Sequence, residues 1–222
     1  MRGRFITFEG GEGSGKSTHT ARLAERLRAR GVKVLLTREP GGSPGAEIIR
    51  HVLLSGVAKP LGPETEAILF AAARDDHVRS TILPALREGT WVICDRFIDS
   101  TRVYQGALGK VDQRLIRRLE RITVGTEAQP DLTILLDVPA TVGLARAKTR
   151  RGSGSVDRFE SESVEFHEQL RNAYRELADR EPVRIALIDG RAPRDVVAER
   201  IWSLVNERLH PGAVEQAEAA GS

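Results

Sequence analysis

Residues 10–17 read Gly10-Gly11-Glu12-Gly13-Ser14-Gly15-Lys16-Ser17, a full match to G-x-x-x-x-G-K-[ST], set between an apolar run at 4–9 and a helix-like segment at 18–30. Glycines let the backbone bend until several amide N–H groups converge on phosphate oxygens, and the helix that follows adds the positive end of its dipole. Lys16 then neutralises charge on the outer phosphates, and the Ser17 hydroxyl can hold Mg²⁺. The loop together with Thr18 therefore reads as the site of a nucleoside triphosphate. A second group of unusual residues follows the other short apolar runs: Thr37-Arg38-Glu39-Pro40-Gly41-Gly42, Asp95-Arg96-Phe97 and Asp137-Val138-Pro139. In open α/β sheets, ligands bind beyond the carboxyl ends of the strands. Arg38 and Arg96, at the tips of neighbouring strands, could fork onto a second phosphate facing the first, which is what phosphoryl transfer between two nucleotides requires. Pairing of Arg38 with Glu39 and of Arg96 with Asp95 is the structural alternative.

The elements that must hold these residues alternate along the chain. Strand candidates at 4–9, 32–37, 91–95, 132–137 and 183–189 are interleaved with helical periodicity at 18–30, 63–88, 113–124, 141–150, 161–180 and 194–209. That order implies a mainly parallel sheet covered by helices on both faces. With 222 residues, 40% of them hydrophobic, the chain suits one substantial α/β domain, 1–210, and the small polar run 211–222 reads as a disordered tail. The net charge of +3 comes without a long basic block, so nucleic-acid binding is not implied. No stretch has the length or polarity of a signal peptide or a membrane span, which gives a cytoplasmic, soluble expectation. The single cysteine, Cys94, cannot form an internal disulfide, and the five histidines lack metal-ligand spacing.

Taken in order, the P-loop, the segment Thr37-Arg38-Glu39-Pro40-Gly41-Gly42, the segment from Phe70 to Arg74, Asp95-Arg96-Phe97, and Ser100-Thr101-Arg102-Val103-Tyr104-Gln105-Gly106 resemble the thymidylate kinase family. The resemblance spans residues 3 to about 209. It implies a P-loop nucleoside monophosphate kinase fold with a five-stranded parallel sheet flanked by helices, a mobile lid and a homodimer. It also implies ATP as phosphoryl donor, dTMP as acceptor and Mg²⁺ as the metal.

Carried over residue by residue, the resemblance implies that Phe70 stacks on the thymine ring and Arg74 hydrogen-bonds its edge. Arg38 and Arg96 bind the dTMP phosphate, Arg96 serving catalysis as well, while Ser100 and Gln105 line the base pocket. Tyr104 crowds the sugar 2′ position, and Glu12, a carboxylate out of place among phosphates, accepts a hydrogen bond from the acceptor's 3′-hydroxyl. Asp95 joins Ser17 at the metal. The lid is expected at about 146–158, where arginines flank Gly152-Ser153-Gly154-Ser155. Gly13 stands where some members place a catalytic arginine, so the resemblance is to the bacterial subgroup whose lid supplies that charge; Arg150, Arg151 and Arg158 are the candidates. Arg146 is expected against the adenine, beside the backbone at 190–192. Another nucleoside monophosphate kinase, or a non-enzymatic P-loop switch, is the competing reading.

Overall fold

The computed structural model describes residues 2–151, 159 and 161–211. Five short runs rich in Val, Ile, Leu and Phe form strands: β1 Phe5–Glu9, β2 Val34–Arg38, β3 Trp91–Asp95, β4 Leu132–Asp137 and β5 Ile185–Asp189. β1, β3 and β4 are buried along nearly their whole length and not alternately, as strands covered on both faces should be. They sit at the centre of one parallel sheet with the order β2-β3-β1-β4-β5. The expected five-stranded parallel sheet is therefore present. β2 ends one residue later than its apolar run, which puts Arg38 inside the sheet, opposite Asp95. Asp95 in turn lies opposite Phe8 of β1, so the carboxyl ends of β2, β3 and β1 share one edge.

Helices α1 Lys16–Arg28 and α9 Arg194–Leu209 cover one face, where Leu23, Leu27, Ile201 and Val205 pack on Ile6, Phe8 and Ile134. On the other face Phe5, Val92 and Cys94 meet Ile82, Leu86, Phe97 and Ile98. Phe5 and Phe97 pack edge to face at 4.9 Å between ring centroids.

The helical layer departs from the periodicity in three places. Residues 44–54 form a helix, α2 Pro44–Leu54, that the sequence pattern does not announce. The single helix expected at 63–88 is divided into α3 Gly62–His77, a π turn at Val78–Ile82 and α4 Leu83–Arg87. Pro84 gives the reason: it has no N–H for the preceding turn, so the helix widens before it. Residues after β3 also turn helical, as α5 Ile98–Thr101 running into a π-helical segment, Arg102–Leu108. The remaining helices are α6 Gln113–Thr123, α7 Ala140–Arg151 and α8 Val164–Arg180.

A buried ion cluster ties β4, β5 and α5 together beneath the sheet edge. Asp99, 1% exposed, accepts two hydrogen bonds from the Arg184 guanidinium, at 2.7 and 2.8 Å. Arg102 adds a third charge contact at 3.3 Å and Thr133 a hydroxyl at 3.3 Å. Removing one partner of a buried pair leaves the other charge uncompensated. Arg184→Met is thus expected to cost about 3 kcal/mol of stability in urea unfolding. A loss below about 1 kcal/mol would show that Arg102 alone holds Asp99.

Candidate active site

The loop between β1 and α1 runs through glycines in left-handed or otherwise positive-φ conformations, Gly10, Gly13 and Gly15 among them. Lys16 opens α1, and its Nζ donates to the carbonyls of Gly10 and Gly11 at 3.0 and 2.9 Å. Burial and the neighbouring Arg96 cation both pull the Lys16 pKa below its ordinary value. An anion in the loop would reverse that loss. The Ser14 hydroxyl is buried within the loop without a hydrogen-bond partner. An orphaned hydroxyl, an ammonium resting on loop carbonyls and the N-terminus of a 13-residue helix fit a phosphate chain. Ser17 Oγ donates to Asp95 Oδ2 at 2.6 Å. These hard oxygens, from a hydroxyl and a strand-end carboxylate, suit Mg²⁺, which is held by one or two carboxylates together with substrate phosphates.

Arg96 follows β3 with φ at +67°, an unfavourable backbone for a side-chain-bearing residue. Its guanidinium forms an ion pair with Glu12 and donates to Gly10 O at 3.2 Å. Burial alone would raise the Glu12 pKa, but Arg96, Lys16 and His167 outweigh it and bring the carboxyl down to about 2. Glu9, at the end of β1 and 1% exposed, clamps the backbone on the far side of Arg96. It accepts from Phe97 N at 2.8 Å, Ser100 N at 3.1 Å, Ser100 Oγ at 2.7 Å and Tyr174 Oη at 2.8 Å. Burial first, and Asp99 second, push its carboxyl up to about 6.

These groups open onto a cleft of about 240 Å³. The loop end is lined by Glu12, Gly13, Gly15, Lys16 and Ser17, with Asp95 and Arg96 beside them. Arg38, Phe70, Arg74, Ser100, Tyr104 and Gln105 line the other end, and Arg150 stands at the rim. The Tyr104 ring packs edge-on to Phe159 at 5.2 Å and lies 5.4 Å beneath the Arg96 guanidinium, while its hydroxyl is buried and unpartnered.

The structure gives the expected residues partners of their own. Arg38 pairs with Glu47 at 2.9 Å and Arg96 with Glu12, so the alternative pairing with Glu39 and Asp95 is not adopted. Arg74 is directed by buried partners of its own, Glu39, Phe97 O and Thr101 Oγ1. Ser100 turns its hydroxyl toward Glu9 and Tyr174 and only borders the cleft. Asp137, quoted with the segments that follow the apolar runs, is taken by Arg171 and Arg175. Arg146 sits outside the cleft and donates to the Gly190 and Arg191 carbonyls, bringing α7 to the 190–192 segment. The first part of the expected flexible lid, 146–151, is helical. Arg158 and residues 152–155 lie outside the described residues, and so does the Arg151 side chain.

The cleft also contains residues that sequence reasoning passed over: Glu39, Pro40, Arg50, Leu54, Phe97, Thr101 and Phe159. Glu39 and Pro40 stood in a quoted motif without a role. Arg50 and Leu54 were hidden because their helix was. Glu9 and Tyr174 carried no local signal, since their hydrogen bond spans 165 positions.

The thymidylate kinase family model matches residues 8–201. Among similar proteins, the thymidylate kinase of Bradyrhizobium diazoefficiens is 60% identical over 210 residues, 95% of this chain and 92% of the relative. That of Afipia carboxidovorans is 59% identical over 218 residues, 98% and 95% of the two chains. The crystal structure of thymidylate kinase from Ehrlichia chaffeensis superposes with a TM-score of 0.72 at 33% identity, covering 92% of this chain and 99% of that one.

Gly13 shows why no side chain could stand at that point of the loop. Its φ is +64°, and a Cβ there would overlap the carbonyl oxygen of Gly143 on α7, while a Cβ on Gly143 would overlap the Glu12 carbonyl. The two backbones meet with only glycines between them. Gly13→Arg should therefore lower the melting temperature by about 4–10 °C, from strain and forced separation together. An unchanged melting temperature would show that α7 moves aside without cost.

Proposed function

The chain belongs to the thymidylate kinase family, and on that premise we propose that it transfers the γ-phosphoryl group of Mg·ATP to the phosphate of dTMP, giving dTDP. The observation that carries this reading is the single cleft whose one end is the P-loop and whose other end is an aromatic and arginine pocket, with Arg96 between them.

The residues divide the work along that axis. The loop amides and Lys16 hold and neutralise the donor's outer phosphates; Ser17 and Asp95 would hold Mg²⁺, which when bound would supply further positive charge there. Arg38 and Arg96 fork onto the acceptor phosphate, whose oxygen is already anionic near neutral pH and needs no strong base to attack. Phe70 stacks on the base, Arg74 reads its edge, and Gln105 and Ser100 close the pocket around it. Tyr104 crowds the 2′ position of the sugar, and Glu12 accepts from the 3′-hydroxyl. Arg150 at the cleft rim, with Arg151 and Arg158, is the source of lid charge on the transferred group, the more so because Gly13 has no room for a side chain. Arg146, fixed against the carbonyls at 190 and 191, faces the adenine side.

The assembly is proposed as a homodimer. Ile48 and Val52 on α2, Ile68 on α3 and Ile122 on α6 are exposed apolar side chains on helices that pack side by side, and a second copy would cover them. A single domain, 1–210, with its lid at about 146–158 and a separate tail, is the organisation this reading requires. No helix among the described residues is long and apolar enough to cross a membrane. Cytoplasmic location is part of the proposal.

A coupled ADP-release assay with dTMP, dUMP, UMP, CMP and AMP tests the acceptor. The expected result is turnover with dTMP exceeding that with UMP, CMP and AMP by at least about 100-fold in kcat/KM. Turnover led by another monophosphate would make this a different nucleotide kinase, and ADP release independent of any acceptor would favour a P-loop hydrolase or switch.

A further inference from the structure

The segment from Thr37 to Gly42 does more than present Arg38. Arg38 is exposed at the end of β2, while its neighbours Thr37 and Glu39 reach side chains of α3. There Glu39 Oε2 accepts from Arg74 Nε at 2.8 Å, and Glu39 Oε1 lies 3.1 Å from His77 Nδ1. His77 is completely buried, and its Nε2 lies 2.8 Å from Thr37 Oγ1. A carboxylate only accepts, so Nδ1 must carry the proton, and Nε2 can then accept from the threonine hydroxyl. Gly42 makes room for the ring: a Cβ there would overlap His77 Nε2 and Thr37 Oγ1. The result is a continuous chain, Thr37–His77–Glu39–Arg74, built from one motif and two residues one turn apart on α3.

The consequence falls on Arg74. Its Nε is held by Glu39, and its Nη2 by the Phe97 carbonyl at 3.2 Å and Thr101 Oγ1 at 3.1 Å. Of the five N–H groups of a guanidinium, those of Nη1 are left to face the cleft that Arg74 lines. We infer that His77 and Glu39 are positioning residues for base choice, locking Arg74 so that the cleft meets a fixed, donor-only edge. Such an edge takes a pyrimidine with a carbonyl oxygen at C4. It rejects one with an amino group there, because donors would face donors, buried and unsatisfied. This inference rests on the proposed acceptor and adds to it the groups that enforce the choice of base.

The test measures dissociation constants of dTMP and dCMP by competition calorimetry, with kcat and KM for dTMP, in wild type and in Glu39→Gln, His77→Phe, His77→Gln and Thr37→Val. Glu39→Gln and His77→Phe should weaken dTMP binding by about 10- to 100-fold, the worth of a lost charge-assisted contact, and leave dCMP binding nearly unchanged. The preference for dTMP then collapses by the same factor. kcat at saturating dTMP should stay within a few-fold, since Arg74 touches the base and not the transferred group. His77→Gln keeps an N–H able to reach Glu39 and should restore most of the preference, and Thr37→Val, a mild change that preserves packing, should lower it by about 3- to 10-fold. Equal weakening of dTMP and dCMP, or a fall in melting temperature with the preference intact, would overturn the inference and leave the chain as packing. If wild type bound neither pyrimidine nucleotide, the proposed acceptor would fall, and this inference with it.

Discussion

Arg96, just past the carboxyl end of β3, is paired with Glu12 of the P-loop while Glu9 at the end of β1 grips the backbone that follows it, and the working end of the molecule depends on that placement. The reaction proposed for this cleft brings two anionic phosphates together, so positive charge must be waiting in a place from which water is largely excluded. Burying a cation costs several kcal/mol unless something compensates it. Within the cleft Glu12 does so for Arg96 and contributes to Lys16, and these cations hold its carboxyl well below the usual carboxylate range. The positive φ of Arg96 is sustained from below by Glu9, which grips the amides of Phe97 and Ser100. Glu9 itself is linked through Tyr174 to α8, so the segment that carries the arginine is anchored to β1 and to α8.

The sheet supplies the geometry for this. Because all five strands are parallel, every strand ends on the same edge, and Glu9, Arg38 and Asp95 come together without any local sequence relation. Below that edge the buried network of Asp99, Arg184, Arg102 and Thr133 braces the strands against the segment that carries Arg96 and Ser100. Above it, glycine-to-glycine contact sets how close α7 comes to the P-loop.

What could be read from the sequence follows from how local each signal is. The P-loop declares itself because its glycines, lysine and serine are contiguous, and β1, β3 and β4 because buried parallel strands are unbroken apolar runs. Helix α2 stayed hidden: Gly41-Gly42-Ser43-Pro44-Gly45 reads as a turn, and Ile48 and Val52, being exposed, blur the periodicity that would mark a buried face. Yet Ser43 followed by Pro44 is a helix-start pattern, and weighing it would have exposed α2 and with it Arg50. Most of the expected cleft residues do line it, because a motif resemblance carries positions across regardless of separation. The partners that fix those residues, Glu9 on Ser100, Glu12 on Arg96 and Glu39 on Arg74, are pairings across the fold that no spacing rule reports.

In the proposed reaction Arg96 works as a held fork, not merely as a charge. Arg96→Lys tests it most directly, since lysine keeps the cation and loses the planar pair of donors that can meet Glu12, Gly10 O and a phosphate at once. Steady-state kinetics with dTMP should show kcat/KM reduced by about 100-fold or more while the melting temperature changes by only a few degrees. A lysine variant within a few-fold of wild type would contradict the claim and reduce Arg96 to a point charge.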